Sequence, residues 1–135
     1  MATNVEQPET EEPLGQQTET GLDENVAAAL SYVLGFLTGI VMFLIESEND
    51  HVRFHAAQSV VTFGALFVVL MALNVVQAIA GFSDIIGLIL GPVFGLLSLV
   101  LSLGGFVLWV YLIVRTYRGQ DPRIPVAAHV AEGVV

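Results

Sequence analysis

Polar and apolar positions fall in long blocks along this chain. Residues 1–22 are dominated by acidic and other polar side chains. An uncharged apolar run then extends from Val26 to Ile45 and ends at Glu46. After a polar link (Glu46 to Asp50) and a mixed stretch, Val60 to Ala80 is apolar apart from Thr62, Asn74 and Gln77. Gly81 to Asp84 reads as a turn, and Ile85 to Val114 is again uncharged. About 20 apolar residues in a helix match the ~30 Å hydrocarbon core of a bilayer.

The last run is too long for one straight crossing, since 30 helical residues extend roughly 45 Å. Gly91-Pro92 offers a break, because proline suits the first turn of a helix and disrupts its interior. A split at Gly104-Gly105 would leave Phe106 to Val114, too short to cross. The pattern therefore predicts spans at about 26–45, 56–80 and 92–114, with 85–90 a short interfacial or re-entrant helix. The fold class expected is an all-α integral membrane protein. It has a disordered acidic tail (1–22), a three-helix transmembrane domain (23–118) and an extended C-terminal tail (119–135).

Charge adds orientation. Arg53 follows the first span, and Arg115, Arg118 and Arg123 follow the third. Three spans place both regions on one side, which the positive-inside rule makes the cytoplasm. The N-terminus and the 81–84 turn would then lie outside and the C-terminus inside, in a multi-pass protein of the cell membrane. Trp109, Tyr111 and Tyr117 suit the inner interface.

Composition agrees with a lipid environment. Hydrophobic residues make up 55% and charged ones 13%, about half the usual share in soluble domains. Acids exceed bases, giving a net charge of −9, and residues 1–25 hold acids but no base. That excludes nucleic acid as an expected partner, which needs a basic footprint. All four bases are arginine, which suggests a host with high internal salt. No cysteine is present, so thiol chemistry and disulfides are excluded. The first 20 residues lack the basic and apolar pattern of a secretory signal.

Small residues recur at helix-packing spacing: Gly91, Gly95, Ser98, Ser102 and Gly105 in the third span, and Ala28, Ser31, Gly35 and Thr38 in the first, with Gly39 a further step. Such residues let helix backbones approach closely in lipid. They serve packing within the chain or an interface with a partner. Asn74 and Gln77 share a face of the second span and are expected to hydrogen-bond a neighbouring helix. A polar pathway lined by them would need an oligomer.

The most distinctive cluster is Glu46, Glu48, Asp50, His51, Arg53, His55 and Gln58. Three readings compete: it anchors the second span through Arg53, it contacts a partner protein, or it forms a metal or acid–base site. His51 and His55 have a spacing that zinc sites use, yet no HExxH motif accompanies them. No nucleophile–base pair, phosphate-binding loop or cofactor signature is found. The expectation is no metal, no cofactor and no enzymatic activity.

Two stretches carry a resemblance. Asp23-Glu24-Asn25-Val26-Ala27 is followed by Leu30, Tyr32, Gly35, Gly39 and Glu46, and Val52-Arg53-Phe54-His55-Ala56 by Gln58-Ser59. Over about residues 21–125 the chain resembles small prokaryotic membrane proteins related to the twenty-kilodalton component of the chloroplast inner-envelope import translocon. The chloroplast relative is a four-span part of a protein-conducting channel, from which the three-span reading departs, and the resemblance marks Arg53, His55 and Gln58 as a shared working surface. The function expected is binding of other membrane proteins or of further copies within the bilayer. An oligomeric transport or protein-translocation component is the alternative.

Overall fold

The computed structural model describes residues 18–135 and contains five helices there: α1 (Glu24–Val33), α2 (Phe36–Ile45), α3 (Asp50–Ala80), α4 (Asp84–Tyr117) and α5 (Pro125–Val134). No strand occurs among the described residues. The long helices start where their sequence permits. The Asn49 side chain accepts from Val52 N at 3.0 Å, and Ser83 accepts from Ile86 N at 3.4 Å. Each satisfies an N–H that the first helical turn leaves without a partner. Asp50 and Asp84 follow in those first turns, where the helix dipole favours an acid. Joined by the 81–83 turn, α3 and α4 run antiparallel, and both are long and apolar enough to cross a membrane.

The first apolar run differs from the expectation of a single span. Gly35, at φ +62° and ψ −132°, breaks it into α1 and α2, which fold back on each other. Ala27 and Ala28 near the start of α1 pack in one cluster with Met42 near the end of α2, and with Val52 and Ala56 of α3. Glu46, just past α2, accepts from the backbone N–H groups of Glu19 and Thr20, just before α1. Both ends of the run therefore lie at one end of the molecule. Gly39 packs so closely on α3 that a Cβ there would stand 2.9 Å from the Ala56 carbonyl oxygen. At the tip, a Cβ on Gly35 would meet Phe63, roughly 20 Å along α3 from Asp50.

This hairpin replaces the single helix expected over residues 26–45 and brings its start to the end of the molecule where α4 finishes. Asn25 Nδ2 donates to the Tyr117 carbonyl at 2.5 Å, so the start of α1 sits beside the end of α4. The physical reason is local. The break leaves backbone groups that need partners, and neighbours supply them. Trp109 Nε1 donates to the Tyr32 carbonyl at 2.8 Å and lies 3.2 Å from that of Val33. Ser59 Oγ donates to the Gly35 carbonyl at 2.8 Å, and Thr38 Oγ1 accepts from Leu34 N at 3.0 Å. Non-helical backbone at membrane depth survives only under such cover.

Pro92 does not break the third run; α4 continues through it for 34 residues. An internal proline forfeits one backbone hydrogen bond, about 3 kcal/mol, whereas ending a helix in hydrocarbon strands several groups at several kcal/mol each. Residues 85–90 are thus the first turns of α4, and no separate segment forms.

The C-terminal stretch is not extended throughout. Pro125 takes the first position of α5, where its missing N–H costs nothing. Ala128 and Ala131 then bury one face of α5 against Phe54 and Ala57 of α3. Of the expected acidic tail, residues 1–17 lie outside those described. Thr18 to Leu22 is tied to the α2–α3 link, since the Glu19 carboxylate accepts from Ser47 Oγ at 2.9 Å.

Candidate functional site

The polar end of the bundle gathers α1, the first turns of α3 and the link between α4 and α5. Buried Tyr32, His55 and Gln58 form its centre. Gln58 joins α3 to the 122–124 link by both halves of its amide. Its Oε1 accepts from Ile124 N at 2.7 Å, while Nε2 donates to the Pro122 carbonyl at 3.1 Å and to Tyr32 Oη at 2.7 Å. The backbone fixes the amide orientation, because Ile124 N–H can only donate. Tyr32 Oη in turn stands 2.7 Å from His55 Nδ1.

His55 Nε2 points the other way, to Asp121 Oδ1 at 2.9 Å. The atom is buried, faces the Asp121 carboxylate and has no in-line partner among the described residues. His51, one turn earlier, stacks edge-on with the His55 ring at 4.8 Å. Asp121 also faces Arg123 Nε at 3.4 Å, and Arg123 is paired with Glu132 of α5. The hydrogen bond that Arg123 donates to Glu132, with the nearby carboxylate charges, raises the Arg123 pKa above its ordinary value. The guanidinium also lies over the Phe54 ring, 4.3 Å from its centroid.

The residues singled out in the sequence go to different places. His55 and Gln58 meet in this network. Arg53 does not join them: it donates to the Phe43 carbonyl at 2.8 Å, in the last turn of α2, and sits 3.9 Å from the Phe43 ring centroid. A cation suits that helix end. Gly35 is the hairpin turn, and Gly39 the close approach of α2 to α3. On α4, Gly105 faces Leu66 and Gly95 faces Gln77 of α3, so these positions lie on the seam between the long helices. Gly91 has nothing within 4 Å of where a Cβ would stand. Ser98 is half-buried and Ser102 exposed. Asn74 lies exposed, and its Nδ2 donates to the Leu70 carbonyl of its own helix at 2.7 Å rather than to a neighbour.

Sequence reasoning missed Tyr32, Trp109 and Asp121 as site residues. Tyr32 stood in the family-like first-helix pattern, but its partner is 23 positions away. Asp121 gave no signal beyond lying in a proline-flanked link.

Comparison with known proteins corrects the resemblance to the chloroplast translocon component: nothing in the matches links the chain to it. A UPF0132 membrane protein of Methanocaldococcus jannaschii is 34% identical over 86% of this chain and 92% of its own length. A UPF0132 membrane protein of Archaeoglobus fulgidus is 38% identical over 82% of this chain and 94% of its own. A second Methanocaldococcus jannaschii protein of that name is 31% identical over 83% of this chain and 70% of its own. No solved structure matches. The model of the MamF/MmsF family, the magnetosome magnetite crystal formation protein family, matches residues 23–131, and the chain belongs to that family of membrane proteins.

Proposed function

We propose that this is a non-enzymatic protein of the cell membrane that acts by associating, within the bilayer, with further copies or with another membrane protein. It crosses twice, by α3 and α4, and the α1–α2 hairpin enters and leaves from one side. Arg53, Arg115, Arg118 and Arg123 cluster towards that side, which the positive-inside rule assigns to the cytoplasm. Both described ends of the chain are then cytoplasmic, and the 81–83 turn is outside. The high-salt host inferred from composition rests on the absence of lysine.

Asn74 is the observation that carries the association. It sits about 10 Å along α3 from the helix end at Ala80, on the exposed face beside Met71 and Val75. An amide facing hydrocarbon is costly, and its own helix occupies only the Nδ2 side. Amides in membrane helices commonly bond across to another helix. The lipid bilayer and such a partner helix are therefore the two surroundings of this face. Asn74→Leu in nanodiscs or native membranes tests it. Crosslinking between copies, or to the partner, should fall while the monomer stays folded. Unchanged association would remove the main support.

A further inference from the structure

We propose that His51, His55 and Asp121 form a binding site for a divalent transition-metal cation at the cytoplasmic end of the bundle. Sequence alone ranks that chemistry last, because it shows a pair of histidines one turn apart and no third ligand in register. The fold supplies the third. Asp121, from the α4–α5 link, comes to the start of α3, and one ligand atom from each of the three side chains lies within 4.8 Å of the others.

The geometry around His55 suits a metal ligand. Its Nε2 is buried, stands 2.9 Å from Asp121 Oδ1 and lacks an in-line partner among the described residues. Ligand atoms on one tetrahedral ion, with bonds of about 2.1 Å, stand about 3.4 Å apart. A shift of about half an ångström would open the His55–Asp121 pair to that spacing. The other ring nitrogen of His55 is held by Tyr32 Oη at 2.7 Å, and Tyr32 by Gln58. Histidines that bind metal are commonly oriented through their second nitrogen in this way, and in the loaded site Nδ1–H would donate to the Tyr32 oxygen.

Access and charge also agree. A cavity of about 290 Å³ is lined by Asp50, His51, Phe54, Asp121, Arg123 and Glu132 and opens to solvent. It leaves room for water to complete the coordination. The Arg123 charge, which would oppose a cation, is paired with Glu132 and lies towards Asp121 Oδ2, leaving Oδ1 to the site. Two imidazoles and a carboxylate favour zinc, iron(II) or cobalt(II) over calcium and magnesium, which prefer oxygen ligands throughout. An ion here would tie the start of α3 to the link before α5.

The test uses the full chain without an affinity tag, stripped with chelator in detergent, and titrated with Co²⁺. One Co²⁺ per chain with visible d–d absorption, displaced by Zn²⁺, is the expected result. Asp121→Asn, which keeps the side-chain shape, and His51→Ala should each weaken binding by roughly tenfold or more. His129→Ala should not, since the third histidine of the chain is exposed on α5. Absence of stoichiometric binding overturns the proposal. So does binding that survives His51→Ala and Asp121→Asn, or that is lost with His129→Ala.

Discussion

The indole N–H of Trp109 on α4 donates to the Tyr32 carbonyl at the end of α1, 2.8 Å away and across 77 positions of sequence. Tyr32 therefore serves two structures at once. Its carbonyl is part of the turn that reverses the chain, and its hydroxyl belongs to the polar network with His55 and Gln58. The hairpin turn and the site are mechanically joined through one residue.

Trp109→Phe keeps the ring and removes the donor. The Tyr32 and Val33 carbonyls then lose a partner in an apolar setting, at a cost of about 1–3 kcal/mol. Unfolding in mixed detergent micelles should shift by that amount. Stability equal to the unaltered protein would show that the turn is covered some other way.

Gly39 and Gly91 should respond oppositely to alanine. At Gly39 a Cβ would press on the Ala56 carbonyl, which is backbone and cannot move aside without shifting α2 from α3. The expected cost is about 1–3 kcal/mol. Gly91 has open space, so alanine there should be neutral or stabilising by up to ~1 kcal/mol. The same unfolding measurement separates them, and equal effects would contradict the packing described.

Gln58→Leu removes the clamp between α3 and the 122–124 link. The Ile124 N–H and Pro122 carbonyl lose their partner, and Tyr32 loses its donor. Amide hydrogen exchange at Ile124 and along α5 should quicken by about tenfold or more, since one lost bond to a buried group is worth about 1–3 kcal/mol. Exchange in the centre of α3 should hold steady. Uniform quickening throughout would indicate global destabilisation instead.

Topology is testable by cysteine labelling, because the native chain has no cysteine to interfere. In intact cells an impermeant thiol reagent should modify Ser83→Cys. It should leave Thr20→Cys and Gln120→Cys untouched until the membrane is opened. Labelling of position 20 but not 120 would restore three crossings and sink the hairpin arrangement.

The sequence by itself determined that the chain is helical and rich enough in apolar runs for a membrane. Hydrophobic blocks of bilayer length depend on composition along the chain and need no knowledge of neighbours. It also singled out His55 and Gln58, because polar residues beside an apolar run are conspicuous. Whether 26–45 forms one helix or a hairpin was decided only in three dimensions. A glycine inside an apolar run reads alike in both cases, and the choice rests on Trp109 and Ser59 reaching the freed carbonyls from other helices. Pro92 misled for a related reason: its local cost is visible in sequence, while the larger cost of ending a helix in lipid depends on depth. Asp121 reached His55 only because α5 packs its alanine face on α3 and carries the link back over the site. Local physics wrote the helices; contacts between distant residues chose their path and assembled the site.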